Sequence, residues 1–447
     1  MRKTKILVIA IPASTGVSGG AKRSYNVLRN FNTKNTEITL LIPYYSLIWL
    51  VMRDKELKKD ITLQDFSELE RQGIIIPKTT YLYLNRIHDS DTLPFKDHNI
   101  SSEMPLIFNK IAKYIHNLFI FGTYHLSKLE RIYLEKIILE SSEFDVIYSM
   151  HEINLCIRYM KYVFKDQKPL AFILFQLHPF LKNDLILRDH RKITSVPFQL
   201  LETLFLKSSL IKAIVKNNIN IISISELPLL NSGLSEWSQK NNVNITIMKP
   251  SVAIDSKYFA NDAVTKYDGK IIFFASPLGR RKGLFDLIDI LASVKSKFEL
   301  DIFGTLENDE VRTFLKELMK KFNVNAHGFV EDDFLIKSLM KSKVCIFPSR
   351  YEGFGLAVLE SLAAHTPVVM YDSTAQDIYY GIDAIKIVKF GDFEAFGRAI
   401  DHFLELNESE MNNIFMGDKI VELMRAHSDW KKVANEEMNV LGLSNVE

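Results

Sequence analysis

Residues 344–360 read VCIFPSRYEGFGLAVLE, a run that combines a short apolar strand, a glycine-containing loop and the first turns of a helix. Gly353 and Gly355 allow a tight turn and let a ligand approach the main-chain N–H groups closely. The helix start behind them offers unpaired N–H groups and a positive dipole end, which suit phosphate. Glu352 and Glu360 add two carboxylates that can hold hydroxyl groups of a bound molecule. The run favours a ligand site over an ordinary glycine turn with a capping carboxylate.

A second strand-to-helix turn carries a cluster of positive charge. Residues 276–283, called the basic turn below, read SPLGRRKG and contain Arg280, Arg281 and Lys282 in succession. Arginine grips phosphate oxygens through two donors at once, and lysine acts as a point charge. The turn therefore predicts a diphosphate site, with a solvated basic loop as the alternative.

Around these two turns, short apolar runs alternate with helical stretches, which indicates parallel sheets covered by helices on both faces. The predicted strands are 6–11, 38–42, 146–148, 170–175, 219–224, 245–248, 270–275, 298–303, 326–330, 344–347 and 367–370. The predicted helices are 21–31, 152–164, 196–216, 283–297, 307–322, 332–341 and 356–365. The fold class is α/β, with two Rossmann-like doubly wound domains that face each other across a ligand-binding cleft.

The aperiodic segment 249–262 marks the boundary between a first domain, residues 1–250, and a second domain, residues 251–428. Residues 44–140 are rich in aromatic residues and lysine, and we interpret them as extra helices and loops that decorate the first domain. The basic residues 2–5 followed by the apolar run 6–11 imitate a secretory signal. The amphipathic helix that comes next favours a buried first strand.

The composition is that of an ordinary globular protein, because 47% of the 447 residues are hydrophobic and 25% are charged. It excludes disordered and low-complexity classes. Cys156 and Cys345 lie far apart, so a disulfide framework or a cysteine-rich zinc site is unsupported and a reducing cytoplasm is expected. The most apolar stretch, residues 38–52, is too short to span a membrane.

The net charge of +2 divides unevenly along the chain. Residues 1–250 carry 33 Lys and Arg against 23 Asp and Glu, a net +10, whereas residues 251–447 carry a net −8. A polyanion or an anionic membrane surface is a candidate partner for the first domain, and scattered, solvated charges are the alternative.

These motifs resemble those of the retaining glycosyltransferases of family 4, which have the GT-B fold. The shared elements are a Glu-x7-Glu pair, present as Glu352 and Glu360, and a basic turn that ends in Lys282-Gly283. The segments 348–349, 361–369 and 328–330 also fit the family, and so does the late Trp430. The resemblance is specific over roughly residues 271–372 and looser over the first 250. It implies that residues 429–447 form a helix that packs back on the first domain.

The resemblance also implies roles for individual residues. Glu360 would hold the ribose hydroxyls of a nucleotide sugar, Glu352 would position the sugar ring, and Lys282 would neutralise the leaving diphosphate. His178, after the predicted strand 170–175, would contact the donor sugar. The remaining candidate substrate-binding residues are Gly19, Gly20, Arg280, Arg281, Phe329, Val330, Gly353, Phe354, Gly355 and Leu356.

The sequence departs from the family pattern at one position that bears on phosphate binding. Pro277 stands where the family usually has an arginine. Either Arg280 or Arg281 supplies the missing charge from a shifted position, or phosphate binding rests mainly on Lys282.

The resulting hypothesis is transfer of a sugar from a nucleotide diphosphate sugar to an acceptor hydroxyl, with retention at the anomeric carbon. No cofactor, metal ion or nucleic acid is expected. Asp89-Ser90-Asp91 matches the metal-binding motif of another glycosyltransferase fold, but its polar surroundings favour a surface loop. His151, beside Glu152, is interpreted as a structural residue at a strand end. A nucleotide-sugar epimerase or a phosphorylase on the same fold, and a non-catalytic nucleotide-sugar-binding relative, are the alternatives.

A basic and aromatic stretch in the first domain bears on the acceptor. Residues 108–120, FNKIAKYIHNLFI, place apolar side chains at helical spacing beside Lys110 and Lys113, as an interfacial helix does. Together with the +10 charge, this stretch predicts a peripheral enzyme at the cytoplasmic membrane face with a lipid-linked acceptor from a glycan or polysaccharide pathway. A core helix buried against the first sheet is the alternative.

Overall fold

The computed structural model describes residues 2–14, 19–89, 128–141, 143–151, 159–160, 162–163, 169–175, 214–259, 268–306, 309–372 and 377–443. These residues fall into two compact units. The first unit contains the described residues up to Met248 and those from Ala434 onward, and the second contains those from Lys249 to Val433.

Within the described residues, the sheet of the first unit has seven parallel strands in the order β3-β2-β1-β4-β5-β6-β7. The strands are β1 (Thr4–Ile9), β2 (Thr36–Leu41), β3 (Ile74–Ile75), β4 (Val146–Ser149), β5 (Leu170–Phe175), β6 (Asn220–Ser223) and β7 (Ile245–Ile247). Ile6, Leu7, Val8 and Ile9 are all fully buried. A continuous apolar run is what a strand covered on both faces requires, and it confirms that the N-terminal run is a buried strand.

Helices connect these strands. They are α1 (Gly19–Leu28), α2 (Tyr44–Leu57), α3 (Ile61–Arg71), α4 (Lys78–Asp89), α5 (Lys128–Glu140), α6 (Glu226–Ser232) and α7 (Leu234–Asn241). The interval 44–140 therefore holds more than decoration, because α2 and α3 lie between two paired strands, β2 and β3. The two-residue strand β3 is too short to give a periodic signal in the sequence.

The sheet of the second unit has six parallel strands within the described residues, in the order β10-β9-β8-β11-β12-β13. They are β8 (Lys270–Phe274), β9 (Glu299–Phe303), β10 (Val324–Gly328), β11 (Val344–Phe347), β12 (Val368–Tyr371) and β13 (Ile385–Val388). This is the strand order of dinucleotide-binding folds. Together with the first sheet, it confirms the prediction of two doubly wound α/β domains.

The helices of the second unit cover both faces of its sheet. They are α8 (Leu287–Ala292), α9 (Asp309–Lys321), α10 (Asp332–Lys341), α11 (Leu356–Ala363), α12 (Phe393–Glu405), α13 (Glu408–Asn413) and α14 (Asp418–Ala426). A 3-10 turn, Leu284–Asp286, precedes α8, and a second one, Asp377–Tyr379, follows β12. An apolar core of buried side chains from β8, β9, β11, α8, α9 and α12 fills one face.

The last helix, α15 (Trp430–Val440), begins in the second unit, and its later residues belong to the first. Its Glu437 is fully buried and accepts a hydrogen bond from Arg23 of α1 at 2.5 Å. The hydroxyl of Tyr148 in β4 donates to the other oxygen of the same carboxylate. The end of the chain thereby supplies a buried carboxylate to two early elements of the first unit.

Candidate active site

The strand order of the second sheet reverses between β8 and β11, because β9 lies beyond β8 and β12 lies beyond β11. Ligands of open α/β sheets bind at such a point, outside the carboxyl ends of the strands. The basic turn leaves β8, and residues 348–355, called the Glu352 loop below, leave β11. The two motifs of the sequence analysis therefore meet at one edge of the sheet.

Three donors converge on one oxygen of the Glu352 carboxylate. Lys282 Nζ and Arg281 Nη1 donate to Glu352 Oε1, the latter at 3.0 Å, and Ser349 Oγ donates to the same oxygen at 3.1 Å. Glu352 itself is 9% exposed. No hydrogen bond joins its second oxygen, Oε2, to another of the described residues. One oxygen is thus held in place while the other can accept a hydrogen bond from a ligand hydroxyl.

The electrostatics of this cluster favour the ionised carboxylate. Burial raises the pKa of Glu352, but the Lys282 ammonium and the Arg281 guanidinium lower it by more than burial raises it. The pKa of Glu352 therefore lies below its ordinary value. Burial lowers the pKa of Lys282, and the neighbouring Arg281 lowers it again, while Glu352 opposes both effects only in part. The Lys282 side chain is 14% exposed, and a largely enclosed lysine with an adjacent second cation is suited to receive a doubly charged anion.

The three cations of the basic turn have different partners. Arg280 forms an ion pair with Glu310 of α9, and its guanidinium carbon lies 4.4 Å from the ring centroid of Phe285. Arg281 instead joins Lys282 at Glu352. Of the two arginines, the structure therefore brings Arg281, rather than Arg280, to the Glu352 carboxylate.

Gly283 lets the basic turn approach the Glu352 loop. It has a φ of +75°, and a Cβ atom built on it would lie 1.9 Å from the carbonyl oxygen of Pro348. The main-chain N–H of Arg350 also donates to the carbonyl oxygen of Arg281 at 2.9 Å. Any side chain at position 283 would push the two loops apart, so this geometry explains why a glycine follows Lys282.

The Glu352 loop ends at α11, whose N-cap is Gly355 with a φ of +86°. The first N–H groups of a helix have no acceptor inside it, and here they follow the loop directly. The side chain of Phe354 is buried and packs against Tyr379 and His427, with ring centroids 6.5 and 5.2 Å apart. The Tyr379 hydroxyl donates to the Phe354 carbonyl oxygen at 3.1 Å. Phe354 thus fixes the loop through its side chain, and the main chain from Gly353 to Leu356 borders the site.

Glu360 lies in α11, one turn after Leu356 and on the same helix face. Its residue is 8% exposed, so both carboxylates of the Glu-x7-Glu pair are buried in the second unit. The carboxylates of a solvated acidic helix would be exposed, whereas Glu352 and Glu360 are both buried. Glutamate side chains are almost never buried unless they are paired.

The predicted strand 326–330 includes Phe329 and Val330, but in the structure neither residue lies in a strand. Strand β10 begins at Val324 and ends at Gly328, whose φ is +70°. The turn at this glycine places Phe329 and Val330 just beyond the carboxyl end of β10, where both are half-buried. They therefore border the same edge of the sheet as the Glu352 cluster.

The strand order of the first sheet reverses between β1 and β4, and a histidine lies there. His151 follows β4 by two residues, is buried, and its Nε2 lies 3.2 Å from Ser24 Oγ of α1. Ser24 in turn donates to the carbonyl oxygen of Gly20, so the histidine is linked to the predicted pair Gly19-Gly20 at the start of α1. Burial and the nearby Arg23 lower the pKa of His151 to about 4, which keeps the ring neutral.

The sequence predicts a structural His151 and a donor-contacting His178, and residue 178 lies outside the described residues. His151 lies just after β4, a buried strand that neighbours β1 in the sheet, and this position makes it a candidate functional residue. That adjacency depends on strand order, which the sequence analysis did not establish.

Neither a metal site nor a membrane span is found among the described residues. No group of three His, Cys, Asp or Glu side chains is placed to hold a metal ion there. Asp89 is the last residue of α4 and is exposed, and Asp91 lies outside the described part of the chain. No helix of that part is long and apolar enough to cross a membrane.

Part of the second unit is similar to a known protein family. Residues 259–415 match the family model described as glycosyl transferases group 1. This range contains the basic turn, the Glu352 loop, Glu360, Phe329 and Val330. The processive diacylglycerol alpha-glucosyltransferase of Acholeplasma laidlawii is 30% identical over 158 residues, which are 34% of this chain and 46% of that protein. The match thus spans less than half the length of this curated relative.

Solved structures match over the whole chain at low identity. Sucrose-phosphate synthase from Thermosynechococcus elongatus gives a TM-score of 0.63 at 14% identity, with 98% of each chain covered. Anabaena HepE in complex with UDP and glucose gives 0.61 at 12% identity, with 98% of this chain and 99% of that chain covered. These likenesses confirm the predicted GT-B fold.

Proposed function

We propose that this protein is a retaining glycosyltransferase of family 4 that transfers a sugar from a nucleotide diphosphate sugar to an acceptor hydroxyl. The observation that carries the proposal is the convergence of Lys282, Arg281 and Ser349 on Glu352 at the switch point of the second sheet. This cluster lies inside the range that matches the glycosyl transferases group 1 model. A related fold, Anabaena HepE, has been solved with UDP and glucose, which supports a nucleotide sugar as the donor.

In this proposal the charges of the site act on the leaving group. Lys282 and Arg281 receive the diphosphate, together with the main-chain N–H groups at the start of α11. Glu360 accepts hydrogen bonds from the ribose hydroxyls, and Glu352 Oε2 accepts one from a hydroxyl of the donor sugar. The neutral His151 and the pair Gly19-Gly20 serve the acceptor side, and His178 stays a prediction.

The chemical step exchanges one bond to the anomeric carbon for another on the same face of the sugar. The bond from that carbon to the diphosphate oxygen breaks, and the diphosphate keeps the electron pair. The acceptor oxygen forms the new bond, and its proton passes to the departing phosphate oxygen. The positive charges beside the diphosphate stabilise the negative charge that develops there, which lowers the barrier without a covalent enzyme intermediate.

Ligand-induced stabilisation and product analysis test the proposal. Each common nucleoside diphosphate is added to the protein in a thermal unfolding assay. One of them should raise the melting temperature, since a ligand at 100 times its Kd stabilises by about 2.7 kcal/mol. The matching labelled nucleotide sugars are then incubated with the enzyme. A transferred sugar supports the proposal, an epimerised nucleotide sugar or a sugar phosphate contradicts it, and binding without turnover identifies a non-catalytic relative.

We expect the two carboxylates to differ in what they control. Glu360→Gln should raise the Kd of the nucleoside diphosphate by about 10- to 100-fold, because a charged hydrogen bond to the ribose is lost. Glu352→Gln should instead lower kcat by about the same factor and leave that Kd almost unchanged. Calorimetric binding and steady-state kinetics measure the two effects. Glu317→Gln, at an exposed position of α9, is the matched control, and wild-type behaviour of both site variants would refute the assignment.

We also expect turnover to be independent of divalent metal ions. Lys282 and Arg281 supply the positive charge that a metal ion would otherwise place on the diphosphate. Activity should therefore survive exhaustive treatment with EDTA. Loss of activity that Mn²⁺ or Mg²⁺ restores would overturn this expectation and bring Asp89 and Asp91 back as candidate ligands.

The acceptor in this proposal is a lipid-linked glycan precursor at the cytoplasmic membrane face, with the protein bound peripherally to anionic lipid. The +10 charge of residues 1–250 supports an anionic surface as partner. The described part of α2 adds Trp49 and Met52, 48% and 44% exposed, on one helix face, with Lys55 one turn further on. The relative from Acholeplasma laidlawii is described as a diacylglycerol alpha-glucosyltransferase. The stretch 108–120 lies outside the described residues and stays a prediction.

Vesicle co-sedimentation tests the membrane association. The protein should pellet with phosphatidylglycerol vesicles at low salt and much less with phosphatidylcholine vesicles or at high salt, because each basic residue near an anionic surface contributes about 1 kcal/mol. Trp49→Glu should weaken binding, while Val421→Glu, an equally exposed apolar position of the second unit, should not. If the wild type ignores anionic vesicles at low salt, a water-soluble sugar is the acceptor.

A further inference from the structure

A buried ion pair involves Arg350, which precedes Glu352 by two residues in the Glu352 loop. Arg350 Nη2 donates to Asp286 Oδ1 at 2.6 Å, and their side chains are only 8% and 3% exposed. The Arg350 guanidinium carbon lies 5.8 Å from the ring centroid of Phe390, which itself packs edge-on against Tyr371. The pair is thus buried, with the Phe390 ring beside the Arg350 guanidinium.

This pair connects the two loops of the site. Arg350 belongs to the Glu352 loop, two residues before Glu352, and Asp286 ends the 3-10 turn that follows the basic turn. Arg350 also donates its main-chain N–H to the carbonyl oxygen of Arg281. One residue therefore holds both ends of the segment 281–286, and Lys282 lies between these two attachment points.

Stability alone does not explain an ion pair at this place. A buried pair loses hydration on both partners, and well-packed apolar residues of the same volume are often equally or more stabilising. The pair does fix a distance between two loops that approach closely at Gly283 and Pro348. Displacements of about 1 Å in an active site can cost roughly 100-fold in rate, so a fixed distance has catalytic value.

We propose that Arg350 and Asp286 are positioning residues that set the distance between the cations of the basic turn and Glu352, without touching the substrate. The inference rests on the proposed function as far as turnover is concerned. The inference also has a geometric part, which is that the pair determines the surroundings of Lys282. This part does not depend on which reaction the site performs.

The experiment compares Arg350→Lys and Asp286→Asn with Lys270→Gln. Lys270 pairs with Asp301 at 2.8 Å and with Glu299 at 2.9 Å in the same sheet, so its variant removes two ion pairs that join no loops of the site. Arg350→Lys and Asp286→Asn should each lower kcat about 10- to 100-fold at a temperature where all variants are folded, with the donor KM changed less than about threefold. Lys270→Gln should lower the melting temperature and leave kcat unchanged.

A second measurement does not depend on activity. The rate at which an amine reagent modifies Lys282, followed by mass spectrometry over a pH series, reports the pKa of that amine. Loosening the loops should move the pKa of Lys282 back toward the ordinary lysine value in Arg350→Lys and Asp286→Asn, and not in Lys270→Gln.

The outcomes separate the two ideas. An unchanged Lys282 titration in both pair variants overturns the positioning role, and so does a kcat loss no larger than that of Lys270→Gln. A shifted titration in a protein that transfers no sugar supports the positioning role while it refutes the proposed function. If Arg350→Lys does not fold, Asp286→Asn decides, because it keeps the shape and one acceptor oxygen.

Discussion

Lys282→Met is expected to lower kcat by about 100- to 1,000-fold, the loss that follows removal of one positioned group from a developing negative charge. Methionine keeps the apolar stem of the lysine, which runs beside Phe347, with Nζ 5.8 Å from the ring centroid. The change therefore removes the charge with little loss of packing. Steady-state kinetics with the donor that the thermal screen identifies provide the measurement.

The interpretation of that loss depends on two comparisons. Lys316→Met, at an exposed position of α9, should leave kcat unchanged. Arg280→Met should cause a much smaller loss than Lys282→Met, because Arg280 is paired with Glu310 rather than with Glu352. Equal losses for Lys282 and Arg280 would mean that the charge of the whole turn matters, and that the specific position of Lys282 at Glu352 does not.

Glu437→Ala is expected to lower the free energy of unfolding by about 3 to 5 kcal/mol, because it removes one partner of a buried ion pair and leaves the other charge in place. Arg23 and Glu437 are 1% and 0% exposed, so water does not replace the lost carboxylate. Tyr148 loses the acceptor of its hydroxyl in the same variant. Urea unfolding followed by circular dichroism measures the change.

The neighbouring Glu436 provides the control for this variant. It lies on the same helix and is half-buried, and its replacement by alanine should alter the free energy of unfolding by no more than about 0.5 kcal/mol. Glu437→Gln should fall between the two, since it keeps an acceptor for Tyr148 but loses the charge that faces Arg23. Unfolding of Glu437→Ala at the urea concentration of the wild type would show that the pair contributes no net stability.

Elements with a strong local signal were predictable from the sequence. Strand β11 and helix α10 have the predicted bounds, because four apolar residues between Lys343 and Pro348 define the strand and two aspartates mark the helix start. Strands β3 and β13 were missed. The first has two residues, and the second, IKIV, is interrupted by Lys386 and has two half-buried positions between two buried ones, so it lacks a continuous apolar run. Burial on both faces produced the continuous apolar runs that revealed strands such as β1, β5 and β11.

The two motifs of the candidate site were predictable from the sequence, but the side-chain contacts between them were not. The sequence indicated that the basic turn and the Glu352 loop bind an anion, since both join a strand to a helix. It could not tell that Arg281 rather than Arg280 reaches Glu352, because that choice depends on how the turn bends at Gly283. Arg350 and Asp286 are 64 residues apart and gave no signal, because a long-range pair is defined only by the packing of both loops.

The partners Arg23 and Glu437 are separated by 414 residues, and this separation has a consequence for how the protein is made. At about 5 to 20 residues per second, a ribosome needs roughly 20 to 80 s to add the chain between them. During that interval α1 has left the ribosome, while the helix that supplies its carboxylate has not been synthesised. The whole second unit is completed in the meantime. Of the two units, the one that begins first is therefore completed second, and during that interval the surface of α1 that faces Glu437 stays open to chaperones and proteases.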